Sequence, residues 1–157
     1  MRPSRDLFFE DFAVGQRFET ESIAVTEAEI VAFARQFDPQ YFHLDPVRAA
    51  DPPFGGIIAS GWHTVGVAMR LLVDHYLPHA ASLGSPGVED LRWPIPVRPG
   101  DTLRVRATIL EARASRSKPD RGIVRTRIEA LNQREELVLS MTAVSFLGRR
   151  QAPAAPD

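Results

Sequence analysis

The sequence predicts one α+β domain in which a long apolar helix is wrapped by a curled antiparallel sheet. Three observations carry this expectation. Between residues 61 and 73 only His63, Thr64 and Arg70 are clearly polar, and a helix apolar nearly all round is buried nearly all round. The second half of the chain holds three long segments with strand periodicity, separated by turn residues at hairpin spacing, the pattern of an antiparallel meander. The length, 157 residues, gives room for one core and not comfortably two.

In chain order, Phe18 to Val25 reads as a short edge strand with weak alternation. Thr26 opens a helix, because Thr26-Glu27-Ala28-Glu29 is a capping box. Ile30, Phe33, Ala34 and Phe37 give that helix one apolar face, and Pro39 ends it at Asp38. Asp38 to Phe54 carries four prolines and one turn of helix near Pro46–Ala50. The long helix runs from Ser60 to about Leu77, with Trp62, Val65, Met69, Leu72 and Tyr76 as its stripe. Trp93 to Val97 is a further strand limited by Pro94 and Pro96. The three long strands centre on Leu103–Ile109, Val124–Ala130 and Leu137–Leu147. The domain is expected over 1–148, with 149–157 a disordered tail.

Composition narrows the function. Nineteen basic and 20 acidic residues leave a net charge of −1, against the basic excess of a nucleic-acid binder. Cysteine is absent, which removes disulfides, thiolate nucleophiles and cysteine-ligated metals. No apolar run reaches the roughly 18 residues of a membrane span, and the first residues lack a signal peptide's apolar region. A soluble, cytoplasmic domain is expected.

Polar chemistry must then come from His, Asp, Glu, Ser or Tyr. Asp38 and His43 stand five residues apart on an expected non-helical, proline-stiffened loop. That spacing can bring a carboxylate and an imidazole to one water, as acid–base chemistry requires. It is equally the spacing of a turn in which His43 only bonds a backbone carbonyl. Downstream, Phe54-Gly55-Gly56-Ile57-Ile58-Ala59-Ser60-Gly61 leads into the long helix. Helix starts expose unpaired N–H groups that suit a developing oxyanion, and Gly61 would let a ligand approach the backbone. Alternatively Ser60 is an ordinary N-cap and the glycines make a turn.

Taken together, Phe33-Ala34, the Asp38–His43 spacing, His43-Leu44-Asp45, Phe54…Ala59-Ser60-Gly61 and Arg92-Trp93-Pro94…Pro99-Gly100-Asp101 resemble the MaoC-like dehydratases, relatives of (R)-specific enoyl-CoA hydratases. The resemblance runs from about Asp6 to Gly148 and implies a hotdog fold, paired as dimers. Asp38 and His43 match the ends of the family motif Asp-x-Asn-Pro-x-His, while Gln40 and Tyr41 stand at its asparagine–proline step. It implies reversible addition of water across the 2,3 double bond of an acyl-CoA or carrier-bound thioester. Asp38 and His43 would be catalytic, with Ser60, Gly61, Gly56 and His63 around the substrate, and no metal or cofactor. Two alternatives share the architecture: a thioesterase, which would need an acid on the long helix, and a non-catalytic thioester-binding protein.

Other residues have plainer readings. His75 and His79 are separated by Pro78 and lack an acidic cluster, so no metal site is expected. His63 either lines the pocket or fills a buried structural place. Residues 113–127 hold six basic side chains and one acid, a phosphate grip or a solvated hairpin. Arg104 and Arg106 are equally open. A sheet with exposed edges predicts a homodimer, and a larger assembly of dimers is compatible with it.

Overall fold

The computed structural model describes residues 7–77 and 80–150. Four α-helices, α1 (Glu27–Phe37), α2 (Tyr41–Leu44), α3 (Pro46–Ala49) and α4 (Gly61–His75), and a 3-10 turn at Phe9–Asp11 accompany six strands among the described residues. These are β1 (Arg17–Glu19), β2 (Ile23–Ala24), β3 (Gly87–Arg92), β4 (Thr102–Ala114), β5 (Arg121–Leu131) and β6 (Leu137–Gly148). The sheet is antiparallel, in the order β1-β4-β5-β6-β3, with β2 also on β4. It does not close, and β3 forms one edge.

Alternation along β4 buries Leu103, Val105, Ala107 and Ile109 and turns Arg104, Arg106 and Thr108 outward. Ile128 and Ala130 of β5, and Val138, Leu139 and Met141 of β6, continue the same core, while Val124 joins Ile109 in a second cluster. α4 lies across it, burying Thr64, Ala68, Leu71 and Leu72 at helical spacing. A buried leucine contributes roughly 1.5–3 kcal/mol, so this stripe anchors the helix.

The full wrapping expected of α4 is not seen. Trp62 is 60% exposed and Met69 51% exposed. One sheet covers one side of a helix, and the described residues leave Trp62 and Met69 open on the other. The expected stripe through Trp62 and Met69 therefore gives way to the one through Thr64 and Ala68.

Three local expectations also change. The first strand is split into β1 and β2, because the Thr20 hydroxyl, in place of a backbone carbonyl, accepts the Val105 N–H at 2.9 Å. Trp93–Val97 is not a strand. The strand lies just before it, at β3, whose exposed residues and register shift at Glu89/Arg92 hide it from a search for alternation. Arg149 and Arg150, assigned to the tail, are tied down: the Arg149 Nε and the Arg150 N–H each donate to Glu10 at 3.0 Å, and Arg150 pairs with Asp11. The rest of the tail lies outside the described residues.

Two corners fix the frame. The Thr26–Glu29 capping box is present, at 2.9 and 3.2 Å. Before β4, Gly100 adopts a φ of +87°. The buried Asp101 carboxylate there accepts from the Arg98 N–H at 2.9 Å and the Gln133 amide at 2.8 Å. Half of the basic side chains of the hairpin are paired: Arg113 with Glu111, Arg121 with Asp120, and Arg125 with Glu89 and Glu111. Arg104 and Arg106 pair with Glu19.

Candidate active site

α1 ends at Asp38, whose N–H still bonds Ala34 at 2.9 Å. Pro39 follows, and Gln40 starts α2. His43 therefore sits on a short helix, not on the loop expected from the prolines. Pro39 constrains only the residue before it, so the proline-free stretch Tyr41–Leu44 makes one turn. Asp45 then ends α2 and caps α3, its carboxylate accepting from Val47 and Arg48 at 3.0 and 3.1 Å.

This turn brings Asp38 and His43 together. His43 Nε2 lies 3.1 Å from Asp38 Oδ2, and His43 Nδ1 lies 2.6 Å from the Ile58 carbonyl oxygen. The ring thus meets a carboxylate at one nitrogen and a backbone carbonyl at the other. His43 is 4% exposed. The segment before α4 is clamped between neighbours: the Ile58 N–H donates to Phe42 at 3.1 Å and the Ala59 N–H to Val97 at 2.8 Å. Partial burial raises the Asp38 pKa, but the Gln40 amide, the Ser60 hydroxyl and His43 outweigh it and hold the carboxyl below the usual range.

Ser60 is fully buried, and its hydroxyl makes no capping bond to α4. It lies beside the Asp38 carboxylate, yet its Oγ has no well-formed hydrogen bond among the described residues. Buried hydroxyls are normally paired, and the described group this one lies beside is the Asp38 carboxylate.

A cavity of about 340 Å³ opens here, lined by His43, Phe54, Ile58, Gly61, Trp93 and Val138 among others. Its walls are mostly apolar. Asp38 does not line it and meets it through His43. Gly61 lines the cavity, but the side on which a Cβ would stand is filled. A Cβ there would lie 2.5 Å from the Trp93 indole, so glycine admits the tryptophan that forms one wall.

Two residues grouped with the substrate site lie elsewhere. The Gly56 N–H is consumed by the Ala49 carbonyl at 2.7 Å, and its φ of +132° makes it a turn glycine. His63 faces a separate cavity of about 260 Å³ with Glu29 and Arg70, its ring stacked on Phe33 at 5.0 Å. Burial pushes the His63 pKa down, and Glu29 partly opposes this. His75 has both ring nitrogens engaged, by Leu71 at 2.8 Å and the Glu21 N–H at 3.1 Å. His79 lies outside the described residues. The residues missed in sequence are Ile58, which contributes only a carbonyl, and Gln40, whose place between the pair was the available signal. Trp93, read as part of a strand, gave no such signal.

Comparison with known proteins places this geometry. Residues 10–131 match the model of the MaoC like domain. The chain is 49% identical to a MaoC-like dehydratase from Rhodospirillum rubrum of known structure, with a TM-score of 0.87 over 92% of this chain and 99% of that one. It is 36% identical to 3-hydroxyacyl-thioester dehydratase Z of Mycobacterium tuberculosis, over 61% of this chain and 64% of that protein. The fold is the hotdog. A double-hotdog protein of Mycobacterium tuberculosis superposes with a TM-score of 0.77 at 21% identity, over 97% of this chain and 47% of that one.

Proposed function

Since the chain belongs to the MaoC-like domain family, a family that includes dehydratases and hydratases, we propose that it is an enoyl-thioester hydratase/dehydratase, adding water reversibly across the 2,3 double bond of an acyl-CoA. The observation that carries this is the 3.1 Å contact between Asp38 and His43 at the wall of an apolar cavity.

The proton count follows from the contacts. A carbonyl oxygen only accepts, so His43 Nδ1 donates to Ile58. Nε2 then faces a carboxylate oxygen, which also only accepts. One proton must lie between them. The pair takes a proton from water as the water oxygen bonds to C3, and the pair returns a proton to C2. The sum is one water added, and the reverse is dehydration. A coupled pair titrates as a unit, so both steps belong to Asp38 and His43 together.

Charge develops on the thioester oxygen as C3 is attacked. The Gly61 N–H, at the start of α4 and in the cavity wall, is the donor for it, an interaction that strengthens in a low-dielectric site. The Ser60 hydroxyl beside Asp38 is placed to hold the reacting water. Apolar walls favour an acyl chain. The thioesterase alternative lacks its acid: Asp74, the one acidic residue on α4, is at the far end and pairs with Arg70 at 2.9 Å.

The protein acts as a homodimer in this reading, with an acyl-CoA thioester as substrate and no metal or redox cofactor. The support is the exposed flank of α4 (Trp62, Met69, Val73), with Val88 on edge strand β3. No described helix is long and apolar enough to cross a membrane.

The test is an absorbance assay with crotonyl-CoA and longer enoyl-CoAs, run beside a thiol assay for hydrolysis. Loss of the enoyl absorbance without thiol release is expected. Thiol release without hydration would replace this reading with thioesterase. Binding without either reaction would replace it with a non-catalytic protein.

A further inference from the structure

Gln40 stands between the two members of the pair and bonds to both. Its backbone N–H donates to the Asp38 carbonyl at 2.8 Å, and its carbonyl accepts the His43 N–H at 3.0 Å. Its side-chain amide donates to Asp38 Oδ1 at 2.7 Å. Gln40 is also the N-cap of α2, but its side chain makes no bond to that helix. An N-cap side chain usually satisfies the helix's own N–H groups; this one is directed to a carboxylate instead.

The division of the carboxylate is the useful detail. Oδ1 is occupied by Gln40 and Oδ2 faces His43 Nε2. A carboxylate with both oxygens engaged cannot turn about its Cβ–Cγ bond without losing a charge-assisted hydrogen bond. The neighbouring Tyr41 steadies the same turn. Arg48 lies 4.5 Å over the Tyr41 ring, and the ring meets Phe54 of the cavity wall edge-on at 5.9 Å. Gln40 and Tyr41 are the two positions at which the chain departs from the family motif, so the departure falls on the residues that hold the pair.

We propose that Gln40 is a positioning residue, whose side-chain amide fixes the Asp38 carboxylate with Oδ2 toward His43. This rests on the reading of Asp38 and His43 as the acid–base pair. It acts through Asp38 and does not touch the substrate. Removing the amide frees the carboxylate to rotate and withdraws a hydrogen bond from its charged form. The pair's titration should therefore move to higher pH at its acidic end.

The experiment compares the wild type with Gln40→Ala, Gln40→Glu and Gln40→Asn. The readouts are enoyl-CoA hydration across pH and the nitrogen resonances of the His43 ring in labelled protein. Gln40→Ala should lower kcat by about 10-fold to 100-fold, the scale of a misplaced reacting group, with KM within about twofold. The acidic limb should shift upward and the His43 resonances should change. Gln40→Glu replaces the donor with a second carboxylate and should fall further. Gln40→Asn keeps the amide on a shorter arm and should lie between wild type and alanine. Unchanged kcat and unchanged His43 titration in Gln40→Ala would overturn the proposal. If the wild type turns over no enoyl thioester, the hydratase reading fails, and the His43 titration alone then decides the role of Gln40. Gln40 is exposed, so circular dichroism should match the wild type. If the alanine variant does not fold, the asparagine variant takes its place: an intermediate kcat with altered His43 resonances supports the proposal, and a folded glutamate variant with wild-type kcat and His43 resonances overturns it.

Discussion

His43 and His75 are anchored alike and partnered differently. Each has its Nδ1 on a backbone carbonyl, of Ile58 at 2.6 Å and of Leu71 at 2.8 Å. At His75, Nε2 accepts the Glu21 N–H at 3.1 Å, so the neutral ring satisfies both partners and needs no further proton. At His43, Nε2 meets the Asp38 carboxylate at 3.1 Å, and the contact closes only with a proton added. The same contrast holds for the two ends of α4. At its C-terminal end, Tyr76 stacks on Phe18 at 4.9 Å against a second apolar cluster built on Phe12, Ile109, Val124 and Leu147, and a cavity of about 280 Å³ there has no imidazole or carboxylate among its described lining residues. At its N-terminal end a buried hydroxyl and a cavity stay open. One anchored imidazole ties two backbone segments together, the other is the proton carrier of the proposed reaction, and the group facing the second nitrogen makes the difference.

The largest test of this contrast is Asp38→Asn. It keeps the shape and removes the charge, so hydration should fall by roughly 10²–10⁴-fold, the usual range for a lost acid–base partner, with the circular dichroism unchanged. Full activity in that variant would break the comparison at its centre.

Next come two glycines at opposite ends. Gly61→Ala would place a Cβ 2.5 Å from Trp93, and Gly122→Ala would place one 2.0 Å from Phe9. Overpacking of this kind costs about 1–3 kcal/mol, and denaturant midpoints should show the loss in both. Enoyl turnover should suffer in the first variant alone. Equal losses of activity would show that the two ends are not separable.

A smaller effect is expected from His75→Phe, which leaves the Glu21 N–H without its acceptor. Stability should fall by about 1 kcal/mol, read as a lower melting temperature, while kcat stays unchanged.

The smallest concerns His63, whose pKa burial lowers. The unfolded chain then takes up the proton first as pH falls, so the native state loses stability below about 6.5, the ordinary histidine value. His63→Phe should flatten the pH dependence of the urea midpoint between pH 8 and pH 5. A wild-type curve already flat there would remove the assignment.

The fold was legible where patterns are local or strictly periodic. The capping box at Thr26, the alternation of β4 and β5 and the apolar run of α4 could each be read from the chain. β3 could not, because its exposed residues and register shift suppress the period-two signal. At the site, the spacing of Asp38 and His43 carried their proximity, although α2 replaced the expected loop. Gly56 and His63 were misplaced for one reason. Closeness in sequence to the start of α4 does not say which way a backbone N–H or a helix face points. Ile58 was invisible, since a carbonyl carries no residue-specific signal.

The indole wall over Gly61 has a spectroscopic consequence. The chain has two tryptophans, and they meet edge-on at 5.4 Å, with Trp93 in the cavity wall and Trp62 beside it on α4. All indole emission therefore originates at the cavity wall. Intrinsic fluorescence is a local lamp in this protein. A molecule entering the cavity should change its colour and intensity, and loosening confined to the far end of α4 should leave it dark to the observer.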